Sequence, residues 1–161
     1  MNDRVYNYLK ELKLTDRIIE VPSSTETVEL ASEALDCTIS EVAKTLSFYI
    51  PNPILVVTSG DVKISNDKYR LVFGCKPKMI PKEEIKDVIG HEVGGVCPFN
   101  PKDNVNVYLD ISLLRNKNIY PACGVSGTAI KLNIEELIKY TKFIKWVDVC
   151  ENIEGKDLWK Y

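Results

Sequence analysis

Little in the 161-residue sequence points to a metal, a membrane or a broad nucleic-acid surface. There is one histidine, His91, and the five cysteines (Cys37, Cys75, Cys97, Cys123 and Cys150) form no Cys-x-x-Cys pair, so the ligand spacing of a zinc site is missing. No metal and no cofactor are expected. No apolar run approaches the roughly 20 residues needed to span a bilayer. The polar opening Met1-Asn2-Asp3-Arg4 does not read as a signal peptide, so no membrane partner is expected. An odd cysteine count without a secretion signal fits reduced thiols in the cytoplasm. Acidic residues (23) slightly outnumber basic ones (21), for a formal net charge of −2. That excludes a global basic field but leaves room for a local patch able to hold the end of one RNA. Neither glycine-rich stretch has the spacing of a Walker phosphate loop or a dinucleotide fingerprint.

What is present is the profile of an ordinary globular protein, 45% hydrophobic and 27% charged, long enough for one domain over 1–161 with a substantial core. The polar segment 151–161 is expected to be a loosely held tail. Val5, Leu9 and Leu12 recur at helical spacing, and a helix is expected over about 3–13. Arg17–Val21 reads as a short strand stopped by Pro22, and Val28, Leu30, Ala31, Ala34 and Leu35 as a second helix. A short turn is expected through Glu41-Val42-Ala43, followed by a strand over 44–50. Pro53–Thr58 is a continuous apolar run, typical of a central strand covered on both faces, with Val62-Lys63-Ile64 expected as its partner. Asn66 or Asp67 caps a helix ending at Gly74, and Pro81 opens another that stops at Gly90. Further strands are expected around 105–109, 128–132 and 145–149, with Asn118-Ile119-Tyr120 leading into the second glycine loop and a helix over 134–140 capped by Asn133. The sum is a mixed α/β fold: a central mixed, partly barrel-like sheet with flanking helices.

Two places carry candidate chemistry. The first is the loop His91-Glu92-Val93-Gly94-Gly95-Val96-Cys97-Pro98-Phe99-Asn100-Pro101. Adjacent glycines permit positive φ and close backbone approach, while Pro98 and Pro101 stiffen the second half of the loop. Such a loop is either a tight turn or a cradle whose amides face an anion or a carbonyl oxygen. Because it leaves a helix C-terminus, no helix dipole helps it hold an anion. The loop Cys123-Gly124-Val125-Ser126-Gly127 has the same character. The second place is Lys44, which shares a strand face with Leu46, Phe48 and Ile50. A lysine there either meets an anionic partner in a cleft or runs its stem along the sheet to bring its head to water.

Three segments together resemble the YbaK/EbsC family, the prolyl-tRNA-synthetase-associated editing domain in its freestanding form. They are Glu41-Val42-Ala43-Lys44-Thr45-Leu46, Gly94-Gly95-Val96-Cys97-Pro98-Phe99 with its Gly-x-x-x-Pro loop, and Gly124-Val125-Ser126-Gly127. The resemblance spans about Val5 to Val149. It implies the family's fold and hydrolysis in trans of the ester of a mischarged aminoacyl-tRNA. It places Lys44, Gly95, Val96 and Cys97 at the reacting end, with Thr45, His91, Gly94, Pro98, Phe99, Gly124, Ser126 and Gly127 around the substrate. The acceptor end of the tRNA is the implied partner, with an aminoacyl-tRNA synthetase as a further one, and a monomer or weak dimer is expected. The sequence departs from its relatives in two places, of which the second bears on the substrate. Cys97 stands where many members have Ser, and Ala129 where the branch that edits Cys-tRNA has Asp, which turns the expectation from cysteine towards another small amino acid, such as Ala on tRNA(Pro).

Two alternatives stand beside this. One is a non-catalytic tRNA- or nucleotide-binding module of the same fold. The other is a thiol hydrolase, with Cys97 as nucleophile and His91 as its base.

Overall fold

The computed structural model describes residues 2–153. Residues 154–161, most of the expected tail, lie outside the described residues. The tail's first residues are tethered: Glu151 N–H donates to Lys63 O at 2.8 Å, and Ile153 is buried.

Helix α1 (Asp3–Glu11) begins where Asn2 accepts the Val5 amide, and it turns Val5 and Leu9 into the core. Strand β1 (Ile18–Glu20) follows, then α2 (Val28–Leu35), capped by the Thr27 hydroxyl accepting Leu30 N–H at 3.1 Å. Strands β2 (Val42–Ile50) and β3 (Asn52–Ser59) form a long antiparallel hairpin. Helix α3 (Asn66–Phe73) is capped by Ser65 rather than by Asn66 or Asp67, and α4 (Lys82–Ile89) ends at Gly90 in left-handed geometry. Next come β4 (Asn106–Asp110), β5 (Asn118–Pro121), β6 (Thr128–Ile130), β7 (Leu132–Asn133), α5 (Ile134–Tyr140) and β8 (Trp146–Val147). Asn133 caps α5 through a reciprocal capping box with Glu136. No described helix is long and apolar enough to cross a membrane.

The six-stranded sheet has the order β7-β5-β2-β3-β4-β8, mixes parallel and antiparallel pairs and curls into a half-barrel; β1 and β6 pair separately. The apolar run of β3 is central and covered on both faces, as its lack of alternation implies. Leu55 and Val57 belong to one hydrophobic cluster with α1, α4 and the 91–99 loop. Ile54 and Val56 belong to the other, with Phe48, Tyr69 and Val149.

Two expectations need correction. Val42 and Ala43 are strand rather than turn, because they pair in parallel with Tyr120 and Pro121 of β5. Val62–Ile64 is not a strand partner of β3; β4 takes that edge, and Ile64 makes only an isolated bridge to Cys150.

The sheet is split where β2 meets β5. Their pairing covers two residues, and farther along the same edge Ile80 N–H donates to Ser47 O and Tyr49 N–H to Lys78 O, both at 3.0 Å. Between these, the edge at Thr45 and Leu46 has no strand partner among the described residues. The cleft opens there.

Candidate active site

The two glycine loops are locked together through their backbones. Gly124 N–H donates to Gly95 O at 2.9 Å, and Glu92 N–H donates back to Gly124 O at 3.0 Å. A Cβ placed on Gly95 would stand 2.2 Å from Val125 N, so no side chain fits at that contact. Gly94, at φ 85°, lies beneath the side chain of Glu26. A third segment joins them, since Gly127 N–H donates to the Thr25 hydroxyl at 2.6 Å and Thr25 N–H to the Ser126 hydroxyl at 3.4 Å.

His91 and Cys97 sit behind this junction, both fully buried. The Cys97 amide donates to His91 Nδ1 at 3.4 Å, which makes Nδ1 the acceptor and leaves Nε2 to carry the proton towards Phe99 O at 2.9 Å. Burial lowers the His91 pKa to about 4, so the ring is neutral. Burial also pushes the Cys97 thiol well above its ordinary value, against weaker help from backbone amides. The Sγ–Nδ1 distance is 3.9 Å. A neutral thiol sealed in the core is neither a thiolate nor in reach of an ester, which removes the basis for a Cys97–His91 hydrolase.

A cavity of about 270 Å³ lies between the start of α2, the unpaired edge of β2 and the Gly94 side of the diglycine loop. Of the residues expected at the site, Lys44, Thr45, Gly94 and Val96 line it. Gly95, His91, Cys97, Phe99, Gly124, Ser126 and Gly127 do not; they form the scaffold behind it, and Pro98 borders a different groove. Thr27, Val28, Ala31 and Leu35 complete the α2 wall.

Lys44 does not face Gly95, although the family resemblance places both at the reacting end. It lies on the Phe48 face of β2, half-buried, and its ammonium donates to Val62 O. Desolvation lowers its pKa, with Cys150, Asp61 and Glu29 acting the other way. The amides of the three loop residues placed at the reacting end also divide. Gly95 N–H is spent on Glu92 O and Cys97 N–H on His91, whereas Val96 N–H has no acceptor among the described residues. The Thr45 hydroxyl is buried beside the cleft without a partner among the described residues.

Sequence reasoning missed Glu26, which lines the cleft. In sequence it is one of several polar residues before a helix, and only its contact with Gly94 distinguishes it.

Residues 22–140 match the model of the aminoacyl-tRNA editing domain. The chain belongs to that family. As an editing-domain protein it is 42% identical over 139 residues to the uncharacterized protein YwhH of Bacillus subtilis (strain 168), covering 85% of this chain and 88% of that one. It is 32% identical over 134 residues to the proline–tRNA ligase of Aquifex aeolicus (strain VF5), covering 80% of this chain but only 23% of the ligase. Among solved structures, the hypothetical protein APE2540 superposes with a TM-score of 0.79 at 27% identity, over 92% of this chain and 99% of that one. A protein proposed as a trans-editing enzyme for prolyl-tRNA synthetase superposes with a TM-score of 0.81 at 24% identity, over 94% and 97%, a likeness of fold.

Proposed function

We propose that this editing domain is a deacylase that hydrolyses, in trans, the ester of a mischarged aminoacyl-tRNA carrying a small amino acid, with tRNA(Pro) as the candidate carrier. The observation that carries this reading is the cleft at the split between β2 and β5. It brings Lys44, an apolar α2 wall and Val96, whose amide has no acceptor among the described residues, to one cavity within the matched family segment.

An aminoacyl ester is already activated, so no strong nucleophile is needed, and the buried thiol is not missed. The tasks left are to orient water, stabilise the oxyanion and size the side chain. Val96 N–H is the donor for the oxyanion, and one such donor is worth about 2.7–4 kcal/mol in other acyl-transfer enzymes. Lys44 exchanges its Val62 carbonyl for the terminal phosphate or sugar of the acceptor end, and fixes the ester by positioning. The substrate's own ribose hydroxyl stands in for a protein base. Val28, Ala31 and Leu35 limit the amino-acid side chain, although one methylene is worth only about 1–3 kcal/mol of discrimination.

The partners under this reading are the tRNA acceptor end and, through it, an aminoacyl-tRNA synthetase; the protein acts as one domain, monomeric or weakly dimeric. The test is a panel of tRNAs charged with Ala, Ser, Thr, Cys and Pro. A small-residue ester should turn over fastest. Binding without release of any amino acid would instead support a non-catalytic binding module.

A further inference from the structure

The cleft carries a carboxylate that the chemistry above leaves unused. Glu26 lines the cavity, and its Cγ lies 2.6 Å from where a Gly94 side chain would begin, so the glycine is what lets the acid lie over the diglycine loop. Glu26 forms none of the ion pairs among the described residues, which are Arg17–Glu136, Lys68–Asp148 and Arg115–Asp61. Nor does its carboxylate accept a hydrogen bond among them; only its backbone amide is engaged, donating to the Ser24 hydroxyl at 3.2 Å. Apart from Lys44 and the Tyr120 phenol, it is the one ionisable side chain in the lining.

An aminoacyl ester has two charged ends close to its reacting carbon: the phosphate chain of the tRNA and the α-ammonium of the amino acid. Lys44 and Glu26 match these in sign, one on β2 and the other above the Gly94 loop. Building on the deacylase reading, we infer that Glu26 is a specificity-determining residue that receives the α-ammonium group of the aminoacyl ester. It thereby orients the ester carbonyl towards the Val96 amide and selects esters with a free amino group over N-blocked ones. A charge-assisted contact of this kind is stronger than a neutral hydrogen bond, so its loss is legible in rate.

The experiment compares hydrolysis of alanyl-tRNA(Pro) and N-acetyl-alanyl-tRNA(Pro), or the same pair for whichever ester of the panel turns over fastest, by wild type and E26Q. Wild type is expected to favour the free amine at least about tenfold in kcat/KM, and E26Q to lose most of that preference through a higher KM for the free-amine ester. Thermal denaturation of both proteins checks that Glu26, an exposed side chain, is not acting through stability. Equal hydrolysis of both esters by wild type would overturn the assignment. So would an E26Q rate that falls equally for both, which would make the carboxylate a general base. Absence of turnover by wild type on every ester would instead refute the deacylase reading, and this inference with it.

Discussion

Gly124 donates its amide to the carbonyl of Gly95 across 2.9 Å, and the two backbones lie too close for any side chain between them. The scaffold behind the cleft is therefore a backbone-to-backbone contact between loops about thirty residues apart. Gly95→Ala forces a Cβ to 2.2 Å from Val125 N, so one loop must move. It is expected to lower stability by about 1–3 kcal/mol, or several degrees in Tm, and to reduce turnover more than stability alone explains. Gly74→Ala is the control, because its Cβ meets nothing within 4 Å and only the left-handed backbone resists it. That variant should retain full turnover. Thermal denaturation and deacylation of the pair check both statements.

Cys97→Ser is expected to keep turnover within a few-fold of wild type. The thiol is buried and uncharged, and a hydroxyl there could donate to Phe99 O, which the sulfur already approaches at 3.9 Å. Native protein should also protect Cys97 from an aromatic disulfide reagent until it is unfolded. Complete loss of hydrolysis in a folded Cys97→Ser protein would restore the thiol to the mechanism.

His91 makes stability depend on pH. Its pKa is near 4 in the fold and near 6.5 in the unfolded chain, so between these values the unfolded state binds the extra proton. Stability therefore rises with pH through this window and is lost as pH falls from about 6.5 towards 4, by on the order of 3 kcal/mol. Asp110 works in the opposite sense, because burial raises its pKa and the folded state holds the proton more tightly at low pH. The difference between wild type and His91→Asn isolates the imidazole. Urea midpoints at pH 7, 6, 5 and 4 should show a flatter slope in the variant.

Local pattern made the elements legible, and non-local contact decided the site. The period of two from Lys44 to Ile50 put Lys44 on the face of Phe48, where it lies. It could not show that this face turns away from Gly95, since that depends on how the sheet curls. Asn133 before α5 and Gly90 after α4 were readable as caps because capping is a matter of adjacent residues. The start of β2 at Val42 was not, because it is set by two residues of β5 nearly eighty positions later. The diglycine was readable as a loop needing unusual backbone freedom. That its Gly95 amide is consumed by Glu92, leaving Val96 free, is a detail of one turn that glycine spacing does not encode. Glu26 was invisible for the same reason: its partner, Gly94, is far along the chain.

The most direct measurement is release of the amino acid from charged tRNA by wild type and Lys44→Met, side by side on the same ester panel. The methionine keeps the stem's length and removes the ammonium, freeing Val62 O at a cost of about 1 kcal/mol. Wild type should release a small amino acid, and the folded variant should be slower by about 10²-fold in kcat, the scale of a reacting group held about 1 Å out of place. A Lys44→Met protein that deacylates the same ester as fast as wild type would contradict the role of this cleft.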